Sequence, residues 1–448
     1  MATNSQIITI KNFHATKLNN DRNIFLYLPP SYAQSIDKKY PVLYMHDGQY
    51  AFAPSKNTGG SWNAHKVTDK LIQEGKIKEI IIVAIPNMGN ERGSEYAFDG
   101  IPFVDALHLK AKGLFYEDFL LNDLKPYIDK NYRTLTDPAN TALLGSSMGG
   151  LVTYNLGFRN PQVFGNLAMM SPFLVSVNPD GFVETPNYQL YNTNQKPQKI
   201  WADIGEYENL LQISHTRHFV DQMLKKGYQQ EKDLAYYDVP DGAHFEQDWN
   251  ERLHAPLLFF FGKIGQRDSV QLYGRKTVGL NGGLQVRANP VVKFDSGFLM
   301  SDIDAQYIPE DPNILEISVD GTIIPKKAGQ TKVTYRSHGL ETSAVYTVVE
   351  NVPKMVNVTV NVKVPKNTPD DQPLTLNEYR LTKEKDGLYT VRICIPTDSG
   401  FTFKIARGDA FVNPSVEQDK YKKDIPYRRF KASEDLTINC TVESWKDL

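Results

Sequence analysis

Five consecutive residues carry the strongest chemical signal in the chain: Gly145-Ser146-Ser147-Met148-Gly149. A glycine two positions before and after a serine lets the backbone make a strained turn from a strand into a helix, with the hydroxyl at its apex. The N–H of the next residue, here Met148, and the helix start behind it then face an oxyanion developing on a substrate carbonyl. The bare pattern arises by chance in about one chain in ten of this length, so context decides. Apolar Leu143-Leu144 precede it, and an amphipathic stretch with Leu151, Tyr154, Asn155 and Phe158 follows. That is the strand–elbow–helix setting the motif needs. The glycine spacing selects Ser147 as nucleophile and leaves Ser146 a packing or hydrogen-bonding role.

A serine hydroxyl attacks poorly until a base takes its proton. With this elbow the expected chain order is serine, acid, histidine. His215, His218, His244, His254 and His338 follow Ser147. His244 sits in the loop directly after the last apolar strand pattern, where the base should emerge. His215 and His218 lie three apart on a helical pattern and read as a solvated face rather than a metal pair. The acid should leave the preceding strand, near Asp203-Ile204-Gly205-Glu206-Tyr207-Glu208. Asp203 is still within that strand; Glu206 and Glu208 follow it, and physical grounds leave both open. Gly48 and Gln49, after an early strand, are positioned to supply a second oxyanion N–H beside that of Met148. His46 and Asp47 precede Ser147 and adjoin each other, so they read as shaping that loop. The chemistry is complete without a metal or organic cofactor, and none is expected.

These groups need a frame. Continuous apolar runs at 41–45, 80–85, 141–144, 199–202 and 234–239 have the character of strands buried on both faces. Helical patterns at about 117–131 and 209–226, the second ending at Gly227, alternate with them. Strand and helix in turn predict a mostly parallel sheet covered on both sides. Beyond about residue 268 helical periodicity gives way to short β-rich stretches separated by Asp320-Gly321, Ala328-Gly329, His338-Gly339, Asp386-Gly387 and Ser399-Gly400, which read as β-sandwich. The expectation is an α/β three-layer catalytic unit over 1–268 and two small all-β sandwiches over 269–350 and 351–448. A chain of 448 residues has room for them.

Other classes are excluded by composition. Net charge is −2 with Lys and Arg evenly spread, so no nucleic-acid partner is expected. The longest apolar run, 256–261, is far short of a bilayer span of about 20 residues, so no membrane partner is expected. Two cysteines, Cys394 and Cys440, are too few for a disulfide scaffold. No basic segment followed by an apolar one opens the chain. The compartment stays open between cytoplasm and an exported protein whose leader has been removed.

Several segments together resemble one esterase family of α/β-hydrolases, the group of esterase D, enterochelin-esterase-like hydrolases, feruloyl and acetyl-xylan esterases and mycolyltransferases. They are residues 40–49, Ile85 to Asn87, Glu91-Arg92 with Glu95-Tyr96, 123–134, 145–150, Ser171-Pro172, and 242–244 leading to Trp249. The resemblance implies an α/β-hydrolase fold and carboxylic-ester hydrolysis. It also implies that the acid falls at the fourth position of the turn Gly205-Glu206-Tyr207-Glu208, which selects Glu208 with Glu206 in reserve. Residues 317–323 with 328–334 are similar to a bacterial Ig-like domain. Residues 358–368, 403–409 and 442–445 are similar to a starch-binding module. The tail has a single tryptophan, Trp445, where such modules hold sugars on tryptophan platforms. A structural or subunit-contact role, including homo-oligomer formation through the sandwiches, is therefore expected ahead of polysaccharide binding.

The leading expectation is a serine carboxylic ester hydrolase working through an acyl-enzyme on short-chain, aryl, feruloyl or acetyl esters. Its rivals are an acyltransferase on the same residues, a glycan-targeted esterase and, last, an adhesion protein with an inert hydrolase unit. Tyr50, Phe52, Trp62, Phe98, Phe103 and Phe173 are candidate pocket aromatics.

Overall fold

The computed structural model describes residues 4–54, 60–101, 104, 109–178, 183–191, 195–408, 415–425 and 427–448. Its N-terminal part is an α/β unit built on an eight-stranded sheet. The strands are β1 (Gln6–Ala15), β2 (Asn20–Leu28), β3 (Val42–His46), β4 (Ile81–Ile85), β5 (Thr141–Ser147), β6 (Asn166–Pro172), β9 (Lys199–Gly205) and β10 (Leu234–Val239). A small antiparallel hairpin of β7 (Val175–Asn178) and β8 (Val183–Pro186) lies between β6 and β9 in the chain. The sheet order is β1-β2-β4-β3-β5-β6-β9-β10. β1, β2 and β4 pair antiparallel in succession; from β4 through β3 to β10 every pairing is parallel.

Five of the six parallel strands are the continuous apolar runs; the sixth, β6, was not among them, and β3, β4 and β6 are buried at every position. β1 and β2 mix polar and apolar residues without a clean run, and β1 is largely exposed at the sheet edge. The sheet separates two apolar clusters, one including Tyr44, Leu143, Leu151 and Phe219, the other Met45, Leu144, Trp201 and Phe259. Helices cover both faces: α1 (Ala64–Gln73), α2 over 113–131, α3 (Met148–Arg159), α4 (Leu210–Lys225), α5 (Glu246–Arg252) and α6 (His254–Phe261). α2 starts four residues earlier than its periodicity predicts and contains a π-helical stretch at Phe119–Leu124. α4 is capped by the Asn209 side chain, which accepts from Leu211 N at 3.0 Å, and ends before Gly227 at φ 85°. No helix among the described residues is long and apolar enough to cross a membrane.

The C-terminal part is all β, in several small sheets. A three-stranded sheet (Arg267–Tyr273, Asn289–Phe294, Leu299–Ser301) packs directly on the α/β unit, putting Val292, Phe298 and Met300 into the same cluster as Trp201 and Phe259. A four-stranded sheet built around Gly329–Ser337 and Leu340–Val352 forms its own cluster with Tyr335 and Tyr346. The last part stacks a four-stranded sheet, centred on Met355–Lys363, against a five-stranded one, over a core of Val358, Val360, Leu376, Ile405 and Trp445. Trp445 is 1% exposed and its Nε1 donates to Thr368 Oγ1 at 2.9 Å. The tail's single tryptophan is core rather than a sugar platform. Cys394 and Cys440 are both free thiols.

Candidate active site

The chain places β4 on one side of β3 and then crosses to place β5 on the other. Loops leaving the carboxyl ends of β3 and β5 therefore diverge, and such a switch point opens a crevice where ligands bind. The loop after β3 carries Gly48 and Gln49, and the turn after β5 carries Ser147.

β5 ends at Ser147 and α3 begins at the next residue. Ser147 has φ 57° and ψ −125°, a conformation an L-residue holds at a cost of about 1–3 kcal/mol. The flanking glycines make room for it. A Cβ on Gly145 would lie 2.3 Å from the Gly149 carbonyl oxygen. The Ser147 carbonyl accepts from Phe173 N at 3.0 Å, tying the elbow to the segment after β6. Ser147 Oγ makes no hydrogen bond to another described residue, so its contact with a base is not closed in this conformation. Such bonds are often long in free enzymes and tighten on the substrate.

His244 follows β10, with its side chain 41% exposed and Nδ1 2.6 Å from Glu208 Oε2. The carboxylate fixes that nitrogen as the donor and leaves Nε2 as the basic one. Trp249 packs edge-on against the imidazole at 5.0 Å. Glu208 is the fourth residue of the turn that begins at Gly205, and its Oε1 accepts from Gly205 N at 2.8 Å and from Ser171 Oγ at 2.6 Å. Gly205 has to lack a side chain, since a Cβ there would lie 2.4 Å from the Gly242 carbonyl oxygen in the histidine loop. Glu206 points elsewhere: its carboxylate accepts from Asp241 N at 3.2 Å and pairs with Lys431 of the tail.

Behind Glu208 lies a buried charge cluster that the sequence did not announce. Arg252 donates from Nε to Asp203 at 3.0 Å and from Nη2 to Ser171 Oγ at 2.7 Å, and it approaches Glu208 at 3.4 Å. Ser171, itself at φ 44°, also receives the Trp249 indole N–H at 2.9 Å. Asp203 further accepts from the Trp201 indole at 2.7 Å. Burial opposes the charge on Glu208, but His244, Arg252 and Ser171 outweigh it and hold its carboxyl below the usual range. Burial wins at Asp203, whose carboxyl is pushed up. Glu208, held as a carboxylate, sets its negative charge against the His244 ring N–H. A developing positive charge on His244 is thereby stabilised. Ser171 and Trp249 stood in the segments matched to the family; Arg252 was signalled only by lying three residues after Trp249, on one face of α5.

Gly48 and Gln49 open a 3₁₀ turn after Asp47, and Met148 opens α3; the first N–H groups of such turns have no intrahelical acceptor. A Cβ on Gly48 would lie 2.3 Å from the backbone of Ala84 and Ile85, so only glycine fits there. Asp47 anchors the turn from φ 53°, paired to Arg92 at 2.7 and 2.8 Å and accepting from Asn87 at 2.6 Å. Its Oδ2 lies 3.1 Å from where a Gly149 Cβ would stand, so this turn abuts the start of α3. His46 is buried, bonded through Nδ1 to the Tyr116 hydroxyl at 2.9 Å, and burial pushes its imidazole down to about 4. It shapes the loop and does not face Glu208 or Glu206.

The other candidates disperse. His215 pairs with Glu184 and His218 bonds Gln222, so the two share no partner. His254 bonds the Glu251 and Gly297 carbonyls. Trp62 is buried and stacks on Trp249 at 5.3 Å, and Phe98 is buried. Tyr50, Phe52 and Phe173 are half-buried. Phe103 lies outside the described residues.

Residues 15–260 match the model of the family described as "Putative esterase". Among curated relatives, an endo-1,4-beta-xylanase/feruloyl esterase of Xylanibacter ruminicola is 33% identical over 149 residues, 33% of this chain and 19% of that protein. The chain thus spans about a fifth of that relative's length. The uncharacterized protein YjcH of Bacillus subtilis is 26% identical over 269 residues, covering 58% of this chain and 98% of that one. Among solved structures, a ferulic acid esterase aligns at 24% identity and a TM-score of 0.42, over 58% of this chain and 98% of its own. The chain belongs to this esterase family.

Proposed function

We propose that this esterase cleaves carboxylic esters through an acyl-enzyme, with Ser147 as nucleophile, His244 as general base and Glu208 as the acid that orients it. The observation that carries the reading is the 2.6 Å contact between Glu208 and His244 Nδ1, with the elbow serine at φ 57° on the strand paired to the one whose Ser171 bonds Glu208. His244 Nε2 takes the Ser147 proton as Oγ bonds to the substrate carbonyl carbon. The carbonyl π electrons move onto its oxygen, which the N–H groups of Met148 and of Gly48 or Gln49 receive. Collapse breaks the bond to the alkoxy oxygen, and His244 returns the proton to the departing alcohol. Water, deprotonated by the same nitrogen, then frees the acid and regenerates Ser147.

Aryl and hydroxycinnamoyl esters are the substrate class we favour, because the Xylanibacter ruminicola relative is named an endo-1,4-beta-xylanase/feruloyl esterase. That relative's xylanase name makes a plant polysaccharide the natural carrier of the ester. We also propose three units, at 1–268, 269–350 and 351–448.

The test compares Ser147→Ala with the parent on p-nitrophenyl and hydroxycinnamoyl esters. A rate loss of about 10⁴-fold or more, with loss of labelling by a fluorophosphonate, is expected. A variant that keeps most of the activity would sink the assignment.

A further inference from the structure

We propose that the two-stranded ribbon of the tail, Ser399–Phe403 paired with Arg428–Ala432, is a positioning element of the active site that braces the Glu208 turn against the His244 loop. The proposal rests on the assignment of Ser147, His244 and Glu208 made above.

The two catalytic side chains sit on separate connections, one after β9 and one after β10. Besides the Glu208–His244 contact at 2.6 Å, the bonds between these connections are Tyr207 N to Gly242 O at 2.9 Å, Glu206 N to Val239 O at 2.9 Å, and Asp241 N to Glu206 at 3.2 Å. The ribbon touches both. On the acid side Phe401 forms an antiparallel bridge with Glu208 itself, and Thr402 Oγ1 donates to the Tyr207 carbonyl at 3.0 Å. On the base side Arg429 donates to the Asp241 carbonyl at 3.0 Å, three residues before His244. The same guanidinium lies 4.8 Å over the Tyr207 ring, so one side chain spans the two connections. Just before the second ribbon strand, Tyr427 stacks on Phe245 at 4.4 Å and 14°. Its hydroxyl reaches Asp248, whose same oxygen holds Ala243 N beside the base.

The fit is close. A Cβ on Gly400 would lie 2.7 Å from the Glu206 carbonyl oxygen and from Tyr207 Cα. Backbone packed this tightly transmits displacement instead of absorbing it. A shift of about 1 Å in a catalytic group can cost about 100-fold in rate. A ribbon whose Thr402 lies 195 residues from Tyr207 in the chain thus acts on the spacing of acid and base without touching substrate. Thr402, Arg429 and Gly400 are positioning residues in this sense.

The experiment uses the full chain and four variants: Ser147→Ala, Gly400→Val, Thr402→Val and Thr402→Ser. Thermal unfolding checks that each is folded. Gly400→Val is expected to lower kcat by about 100-fold with KM within twofold. Thr402→Val, which removes one hydrogen bond at constant shape, is expected to lower kcat and the fluorophosphonate labelling rate about fivefold to tenfold. Thr402→Ser keeps the hydroxyl and should restore both. If Gly400→Val does not fold, the Thr402 pair decides alone. Unchanged kcat and labelling in Thr402→Val overturn the proposal, as does a change confined to KM. An equal loss in Thr402→Ser also overturns it, since the hydroxyl would then be irrelevant. Persistent activity in Ser147→Ala would instead remove the catalytic assignment underneath.

Discussion

Two clusters at the carboxyl edge of the sheet each combine an imidazole, a carboxylate and a guanidinium, and they are arranged in opposite ways. One joins His244, Glu208 and Arg252; the other joins His46, Asp47 and Arg92. In the first, the imidazole is 41% exposed and bonded to the carboxylate, which is itself anchored from behind by Ser171 and Arg252. In the second, the carboxylate is turned to Arg92 and Asn87, and the imidazole is sealed against Tyr116, with Nε2 buried and unpartnered. The lesson is that composition does not make a proton-transfer site. A base needs one nitrogen held by an acid and the other open to the reacting atom. The proposed base, His244, has one nitrogen on Glu208 and a half-exposed ring, whereas burial keeps His46 neutral and Asp47 is held by Arg92 and Asn87 at the turn after β3.

Swapping the two histidines out gives the widest separation. His244→Ala should lower kcat/KM by about 10⁴-fold or more, while His46→Gln should stay within about tenfold, both read by steady-state kinetics. Equal losses would erase the distinction. The acids come next. Glu208→Gln is expected to cost about 10²–10⁴-fold in kcat, by loss of imidazolium stabilisation and of ring orientation. Glu206→Gln should change kcat no more than about threefold, and a larger loss there than at Glu208 would transfer the acid role. Arg92→Met tests the second cluster as scaffolding. It strands the buried Asp47 carboxylate and should reduce unfolding free energy in urea by about 2–3 kcal/mol. Folded enzyme should keep kcat within about tenfold.

The smallest effect concerns a carboxyl that lacks an arginine clamp of this kind. Burial, with Glu206 beside it, pushes Asp238 up to about 7, against about 4 in an unfolded chain. A raised carboxyl pKa means that folding favours the protonated form. The contribution is fully present below pH 4 and is lost as pH rises through 7. Asp238→Asn should therefore match the parent at pH 4 and exceed it at pH 8 by on the order of 1–2 kcal/mol. A gain that is equal at both pH values would mean that ionisation is not the cause.

Much of this was legible in the residues alone. Strands buried on both faces announce themselves as unbroken apolar runs, which is why β3, β4, β5, β9 and β10 could be read directly. β1, β2 and β6 could not: β1 at the sheet edge and β2 beside it mix polar and apolar positions, and β6 begins at Asn166 and ends at Ser171-Pro172 around a short apolar centre. The strained turn at Ser147 was readable because its glycines are required by backbone clearance at short range, and the place of His244 after the last strand of the sheet because β10 is an apolar run. The choice between Glu206 and Glu208 rested on family resemblance, since a turn of four residues does not reveal which side chain points inward.

What the sequence determined by itself is local: which segment is strand or helix, where backbone must pass without a Cβ, and which residue types can exchange a proton. What only the tertiary structure decided is long-range. It joined Ser171, Asp203 and Arg252 behind Glu208, and it seated a ribbon from the tail on the two connections that carry Glu208 and His244. The physical reason is that periodicity and turn chemistry act over a few residues. A buried charge is satisfied by whatever donor the fold brings within about 3 Å, and sequence separation carries no record of that distance.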